Sequence, residues 1–171
     1  MLKGKHIYLR QLEQEDANLI LMWENDSSNW KVSDTEAPFS LLQIQKYIEN
    51  ASNVRQNKQL RLMICEIDSN QAVGTIDLYT IHFKHKRAGV GVLIADKINR
   101  NKGFANEAIR LLEKFAKEKL KLQQLYCEVQ STNEASIQLF SQLEYQHVGT
   151  RKNWYLFEND ALDLYFYQKF I

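Results

Sequence analysis

Residues 88–116, AGVGVLIADKINRNKGFANEAIRLLEKFA, constrain this chain more than any other stretch. The apolar run 90–95 reads as a buried strand and the polar run 96–103 as a turn. Ala105, Ala108, Ile109, Leu111, Leu112, Phe115 and Ala116 then recur at helical spacing. A strand that feeds a helix through a glycine-bearing loop has a chemical consequence. The first N–H groups of the helix lack partners within it and carry the positive end of its dipole, so the joint can hold an anion. Gly103 permits a conformation or close approach that a side chain blocks, Ala105 keeps the first turn bare, and Arg100 and Lys102 add positive charge. Dinucleotide and P-loop readings fail on spacing, because neither G-x-G-x-x-G nor G-x-x-x-x-G-K-[ST] occurs.

The rest of the chain alternates between the two periods. HIYLRQL at the start and LRLMICEI and VGTIDLYTI in the middle read as strands, the latter two joined as a hairpin. Leu19, Ile20, Met22 and Trp23 mark one helix, and Leu41, Ile44, Tyr47, Ile48 and Ala51 a second, with Ser40 as its N-cap. Residues 25–39 between them are polar, hold the only proline, and read as a long loop of the kind that binds ligands. After the central helix come the strand QQLYCEV, a short helix marked by Ser136, Leu139, Phe140 and Leu143, and two alternating runs around 145–151 and 162–170. Those runs are joined by a turn at Asn159 and Asp160. The order β-α-α-β-β-β-α-β-α-β-β predicts an α/β (α+β) fold in which one mixed, mostly antiparallel central sheet carries helices on both faces. A length of 171 residues without a linker or repeat predicts one domain over 1–171.

Composition narrows the partners. A net charge of +1 with interleaved signs gives no footprint for nucleic acid and no polybasic patch for a membrane. No stretch has the pattern of a signal peptide or a membrane span. Cys65 and Cys127 sit in apolar strands and read as buried free thiols, which places the chain in the cytoplasm. Four scattered histidines predict no metal.

The loop Arg100-Asn101-Lys102-Gly103-Phe104-Ala105 resembles the [Q/R]-x-x-G-x-[G/A] acyl-CoA loop of the GNAT-superfamily N-acetyltransferases. The run Asn133-Glu134-Ala135-Ser136-Ile137-Gln138-Leu139-Phe140 resembles that superfamily's second motif, N-x-x-[S/A]-x-x-x-[Y/F]. The continuation Asn106-Glu107-Ala108 looks like the branch holding polyamine and ribosomal-protein acetyltransferases, and VGTIDLYTIHFKHKRA is similar in spacing to spermidine and diamine acetyltransferases. Asn101 departs from the glycine common in that branch. The resemblance implies a GNAT fold and acetyl-CoA as cosubstrate. Its pyrophosphate would rest on the amides of Arg100, Asn101, Lys102, Gly103, Phe104 and Ala105. Its pantetheine would lie along Ile94, Ala95, Asp96 and Lys97, with Asn133 and Ser136 on the other side.

Acetyl transfer to an amine needs a neutral nitrogen, a donor to the thioester oxygen, and a proton for the departing thiolate. A strand N–H near Ile94 or Ala95 would serve the oxygen. Where the family often carries a tyrosine this chain has Phe140, and Gly89 stands where many members place a glutamate. Asp77 is the candidate base or amine anchor, or else an outward, solvated carboxylate. Tyr126 is the candidate proton donor, or else sheet packing. Trp30, Glu36 and Phe39 in the polar loop would suit a cationic amine, the rings by cation–π contact and the carboxylate by charge. Glu107, in the first turn of the central helix, answers the helix dipole.

The expected activity is transfer of acetyl from acetyl-CoA to a primary amine without a covalent intermediate. The acceptor is a polyamine or diamine, or alternatively the α-amine of a protein N-terminus. An alternative of another kind is a non-catalytic CoA-binding sensory module. Tyr165 and Tyr167 in the last strand suggest a face for a second subunit, hence a homodimer.

Overall fold

The computed structural model describes residues 1–27, 37–157 and 160–171. Its strands are β1 (Leu2–Lys3), β2 (Ile7–Gln11), β3 (Leu60–Glu66), β4 (Ala72–His82), β5 (Arg87–Ile94), β6 (Gln124–Gln130), β7 (Gln146–Phe157) and β8 (Asp160–Phe170). The helices are α1 (Ala17–Glu24), α2 (Leu41–Asn50), the single turn α3 (Val54–Asn57), α4 (Phe104–Glu118) and α5 (Glu134–Gln142). All eight strands form one sheet in the order β1-β2-β3-β4-β5-β6-β8-β7. Every neighbour pair is antiparallel except β5 with β6. The mixed sheet follows the expectation, with α3 and the short β1 added to it.

Strand alternation sorts side chains to two faces. Ile7, Leu9, Leu62, Ile76, Leu78, Ala88, Val90, Leu125 and Cys127 join Phe104, Ala108, Ile109 and Leu112 of α4 in the larger core. On the opposite face Met63 and Cys65 pack with Ala17, Ile20 and Trp23 of α1 and Ile44 and Ile48 of α2. Leu112, fully buried, contributes about 1.5–3 kcal/mol by leaving water.

Local chemistry ends the helices where the sequence said it would. The Ser40 hydroxyl accepts the Gln43 N–H at 3.3 Å and the Gln43 side chain accepts the Ser40 N–H at 2.7 Å, a reciprocal cap. Gly103 precedes α4 with φ 82°, a left-handed conformation that glycine adopts without strain. Both cysteines are free and buried.

Two expectations change. Tyr167 is only 6% exposed and belongs to the larger core, and Tyr165 packs against the same core and lies 5.1 Å from the His147 ring. Strand alternation turns both toward the larger core, Tyr167 buried and Tyr165 half-buried. The turn at Asn159 falls outside the described residues, and Asp160 already opens β8.

Candidate active site

The parallel neighbours β5 and β6 pair over three residues only, from Arg87↔Gln124 through Gly89↔Tyr126. Beyond Gly89 the two strands fork, although β5 runs on to Ile94 and β6 to Gln130. Which β5 amides face the fork follows from its other neighbour. The Ala95 N–H donates to the Val73 carbonyl at 3.0 Å. Since antiparallel bonding alternates, Leu93, Gly91 and Gly89 turn their groups to β4, whereas Val92 and Ile94 turn theirs into the fork. Of the two amides named from sequence, Ala95's is therefore taken by β4 and Ile94's is turned into the gap. Val92, unnamed, joins it.

At the fork's open end lies the α4 N-terminus. Asp96 begins a single 3-10 turn over Lys97–Asn99, Asn101 adopts φ 61°, and Gly103 leads into a first turn with no side-chain cap. A Cβ built on Gly103 meets nothing within 4 Å, so the space in front of the helix is clear. Arg100 folds back, its Nε and Nη2 each 3.2 Å from the Ile94 and Ala95 carbonyls respectively. Lys102 Nζ donates to the Asn99 side chain at 3.0 Å. Bare amides at a dipole's positive end fit a pyrophosphate.

A carboxylate in that first turn would oppose such a ligand, and Glu107 is turned away. It accepts N–H groups from Lys5, from His6 at 2.9 Å and from Ile7 at 3.4 Å, and its second oxygen meets His6 Nδ1 at 3.0 Å. Burial alone would raise its pKa, but the donors from His6, Lys5 and Ile7 outweigh burial and hold it below the ordinary value. The dipole reading of Glu107 was incomplete. Its carboxylate fastens the β1–β2 corner to α4, a partnership about a hundred residues apart that local pattern does not reveal.

Across the fork, Asn133 and Ser136 sit where α5 begins. The Asn133 side-chain oxygen caps the helix by accepting the Ser136 N–H at 3.1 Å. Phe140 is buried, edge-on to Tyr145 at 5.1 Å between ring centroids.

The face toward α1 and α2 holds the charged groups. Asp77 is opposite Gly91 in register, and its side chain is 13% exposed. Arg61 donates from Nε to Asp77 at 2.6 Å and from Nη1 to Glu24 at 2.6 Å, with its guanidinium 5.4 Å from the centre of the Tyr47 ring. The solvated reading of Asp77 is thereby overturned, because Arg61 holds it inside. Burial pushes its carboxyl up against the pull of Arg61, while burial's opposite push on Arg61 is outweighed by Asp77 and Glu24. Arg61 thus bridges two carboxylates, Glu24 from α1 and Asp77 from β4.

Tyr126 shares that face, stacked on Phe166 at 5.2 Å and edge-on to Tyr79 at 5.9 Å. Asp77 and Tyr126 thus lie on the two strands that flank β5 at Gly89 and Gly91, whose face the Tyr79 ring covers. Phe39, 38% exposed, has its N–H and carbonyl held by the Asn25 side chain at 2.8 and 2.9 Å. Trp30 and Glu36 lie outside the described residues. Among the described residues no three His, Cys, Asp or Glu side chains group to hold a metal ion, and no helix is long and apolar enough to cross a membrane.

Residues 6–146 match the family model of the acetyltransferase (GNAT) domain. The chain belongs to the GNAT acetyltransferase family. It is an N-acetyltransferase that takes acetyl from acetyl-CoA. An N-acetyltransferase of Bacillus subtilis, YoaA, is 28% identical over 160 residues, covering 93% of this chain and 89% of that protein. The spermidine N(1)-acetyltransferase of Escherichia coli is 28% identical over 147 residues, covering 84% of this chain and 74% of that one. The crystal structure of Vibrio cholerae spermidine N-acetyltransferase in complex with CoA and spermine superposes with a TM-score of 0.84 at 18% identity, covering 96% and 95%. That likeness is one of fold. In this GNAT chain Arg61 and Glu24 went unread in the sequence. Only an arginine alternating on a strand beside Asp77 hinted at them.

Proposed function

We propose that this GNAT enzyme acetylates a polyamine or diamine, with the amine entering on the α1/α2 face and the pantetheine of acetyl-CoA lying in the fork between β5 and β6. The observation that carries the acceptor class is the grouping of two carboxylates, Glu24 and Asp77, on the α1/α2 face with the rings of Tyr47 and Tyr126. Carboxylates beside aromatic faces attract an ammonium chain. Similarity to a spermidine acetyltransferase supports the same class.

On this reading the α4 N-terminal amides from Arg100 to Ala105 receive the pyrophosphate, and the Val92 and Ile94 amides pair with pantetheine or polarise the thioester. Asn133 and Ser136 line the other side. The amine nitrogen attacks the thioester directly. Neither thiol is placed as a nucleophile, both being buried, and burial raises that of Cys127. Asp77, committed to Arg61, holds the cationic chain rather than acting as a free base. A cytoplasmic setting belongs to the same proposal, as does a homodimer, for which edge strand β7 with exposed Trp154 and Leu156 replaces the two tyrosines.

The test is amine-dependent release of CoA thiol across spermidine, spermine, short diamines and peptides with free N-termini. Turnover confined to the polyamines and diamines is expected. Turnover with peptides alone would transfer the assignment to protein N-termini, and CoA binding with no turnover would make the chain a sensory module.

A further inference from the structure

Breaking the thioester leaves a thiolate that needs a proton or a hydrogen bond, and Phe140 has none to give. The α1/α2 face offers another group. Tyr79 stands opposite Gly89 in the β4–β5 register, and Gly89 is the last β5 residue paired with β6. The Tyr79 ring lies flat over that glycine. A Cβ at position 89 would fall on its Cε2 and Cζ atoms, and a Cβ at 91 would touch Cε1 at 3.9 Å. Because Cζ carries the hydroxyl, the phenol crosses β5 and reaches β6 on the fork side.

One neighbour fixes it there. Tyr126, the β6 residue paired with Gly89, meets the ring edge-on at 5.9 Å. The phenol carries a hydrogen that it can donate.

We infer that Tyr79 is the catalytic proton donor to the departing sulfur, held at the mouth of the β5–β6 fork by the absence of a side chain at Gly89. This rests on the proposed cosubstrate site in the same fork. The amine nitrogen forms a bond to the acetyl carbon, the carbon–sulfur bond breaks with its electron pair on sulfur, and the Tyr79 O–H gives its proton to that sulfur. The phenolate regains a proton from the nitrogen of the new amide, so the products are the acetylated amine and CoA thiol. Burial, Glu128 and Tyr126 all raise the phenol's pKa, which keeps it protonated at neutral pH.

Tyr79→Phe keeps the ring over Gly89 and removes only the hydroxyl. The expected result is a fall in kcat of about 10²-fold or more, the usual scale for a positioned acid, with calorimetric CoA affinity unchanged. Titration of bound CoA by thiolate absorbance should show its thiol pKa about one unit higher in the variant, since a donor to sulfur favours the thiolate. Gly89→Ala should lower kcat by displacing the ring, and adding Tyr79→Phe to it should cost little more. A Tyr79→Phe enzyme with wild-type kcat and an unmoved thiol pKa overturns the assignment. So does a variant that loses CoA affinity in step with kcat, which would make Tyr79 a wall of the site. A wild-type enzyme without turnover for any amine would instead overturn the proposed function, and this assignment with it.

Discussion

Replacing Arg61 and replacing Asp77 should have unequal effects, and the inequality follows from what each replacement leaves behind. Arg61 lies 2.6 Å from both Glu24 and Asp77, and the three side chains are 20%, 19% and 13% exposed. Arg61→Met takes from Glu24 and Asp77 the guanidinium that bridges them. Removing one member of a buried ion cluster costs about 3–5 kcal/mol, and residual solvent access puts this case near about 3. In a domain of this length each kcal/mol moves Tm by about 2–4 °C, so the variant should melt about 6–12 °C lower. Asp77→Asn retains an oxygen for Arg61 Nε–H and removes one carboxylate charge, so its cost is about 1 kcal/mol or less. Its functional effect is the larger one. A unit charge about 8 Å from an ammonium is worth about 0.5–2 kcal/mol between water-like and protein-like dielectrics, which raises the amine KM about 2–30-fold. Melting by circular dichroism and amine saturation curves measure the two quantities. An Arg61→Met protein that melts within about 2 °C of wild type, or an Asp77→Asn protein less stable than it, would refute the reasoning.

Gly103→Ala should cost about 1–2 kcal/mol of stability through the left-handed backbone alone, since its Cβ meets nothing in the chain, and should weaken CoA binding beyond that loss. Calorimetry beside thermal melting separates the two. Glu107→Ala should destabilise by about 2 kcal/mol, the scale of hydrogen bonds to a charged group. The Glu107 carboxyl is held below its ordinary 4.5, so its stabilisation is full above that pH and is lost as pH falls through the lower folded value. Asp16 follows the same sign. Burial would raise it, but the two Arg10 bonds at 2.7 Å and the Glu13 N–H hold it low. Urea midpoints between pH 3 and 6 should fall more steeply with acid in wild type than in Glu107→Ala.

Local pattern carried most of the scaffold. Ser40 announced a cap, the runs 60–67 and 73–81 announced the hairpin, and the spacing from Ala105 to Ala116 announced α4, because each depends on residues within a few positions. Arg61, Glu24 and Glu107 were out of reach for the opposite reason. Their partners lie 16 to 102 residues away in the chain and meet only when the sheet assembles. Tyr79 belongs between these cases. Gly89 was noted only as the absence of a glutamate, because the ring that covers it and Gly91 comes from the neighbouring strand, and register is not written in either one.

The three-residue pairing between β5 and β6 bears on what holds the two parts of the sheet together. Five strands on one side and three on the other meet along that seam, where backbone bonding is short and one hydrophobic core spans both sides. A ligand that grips only the closed form adds stability by mass action, about 2.7 kcal/mol at a hundred times its dissociation constant.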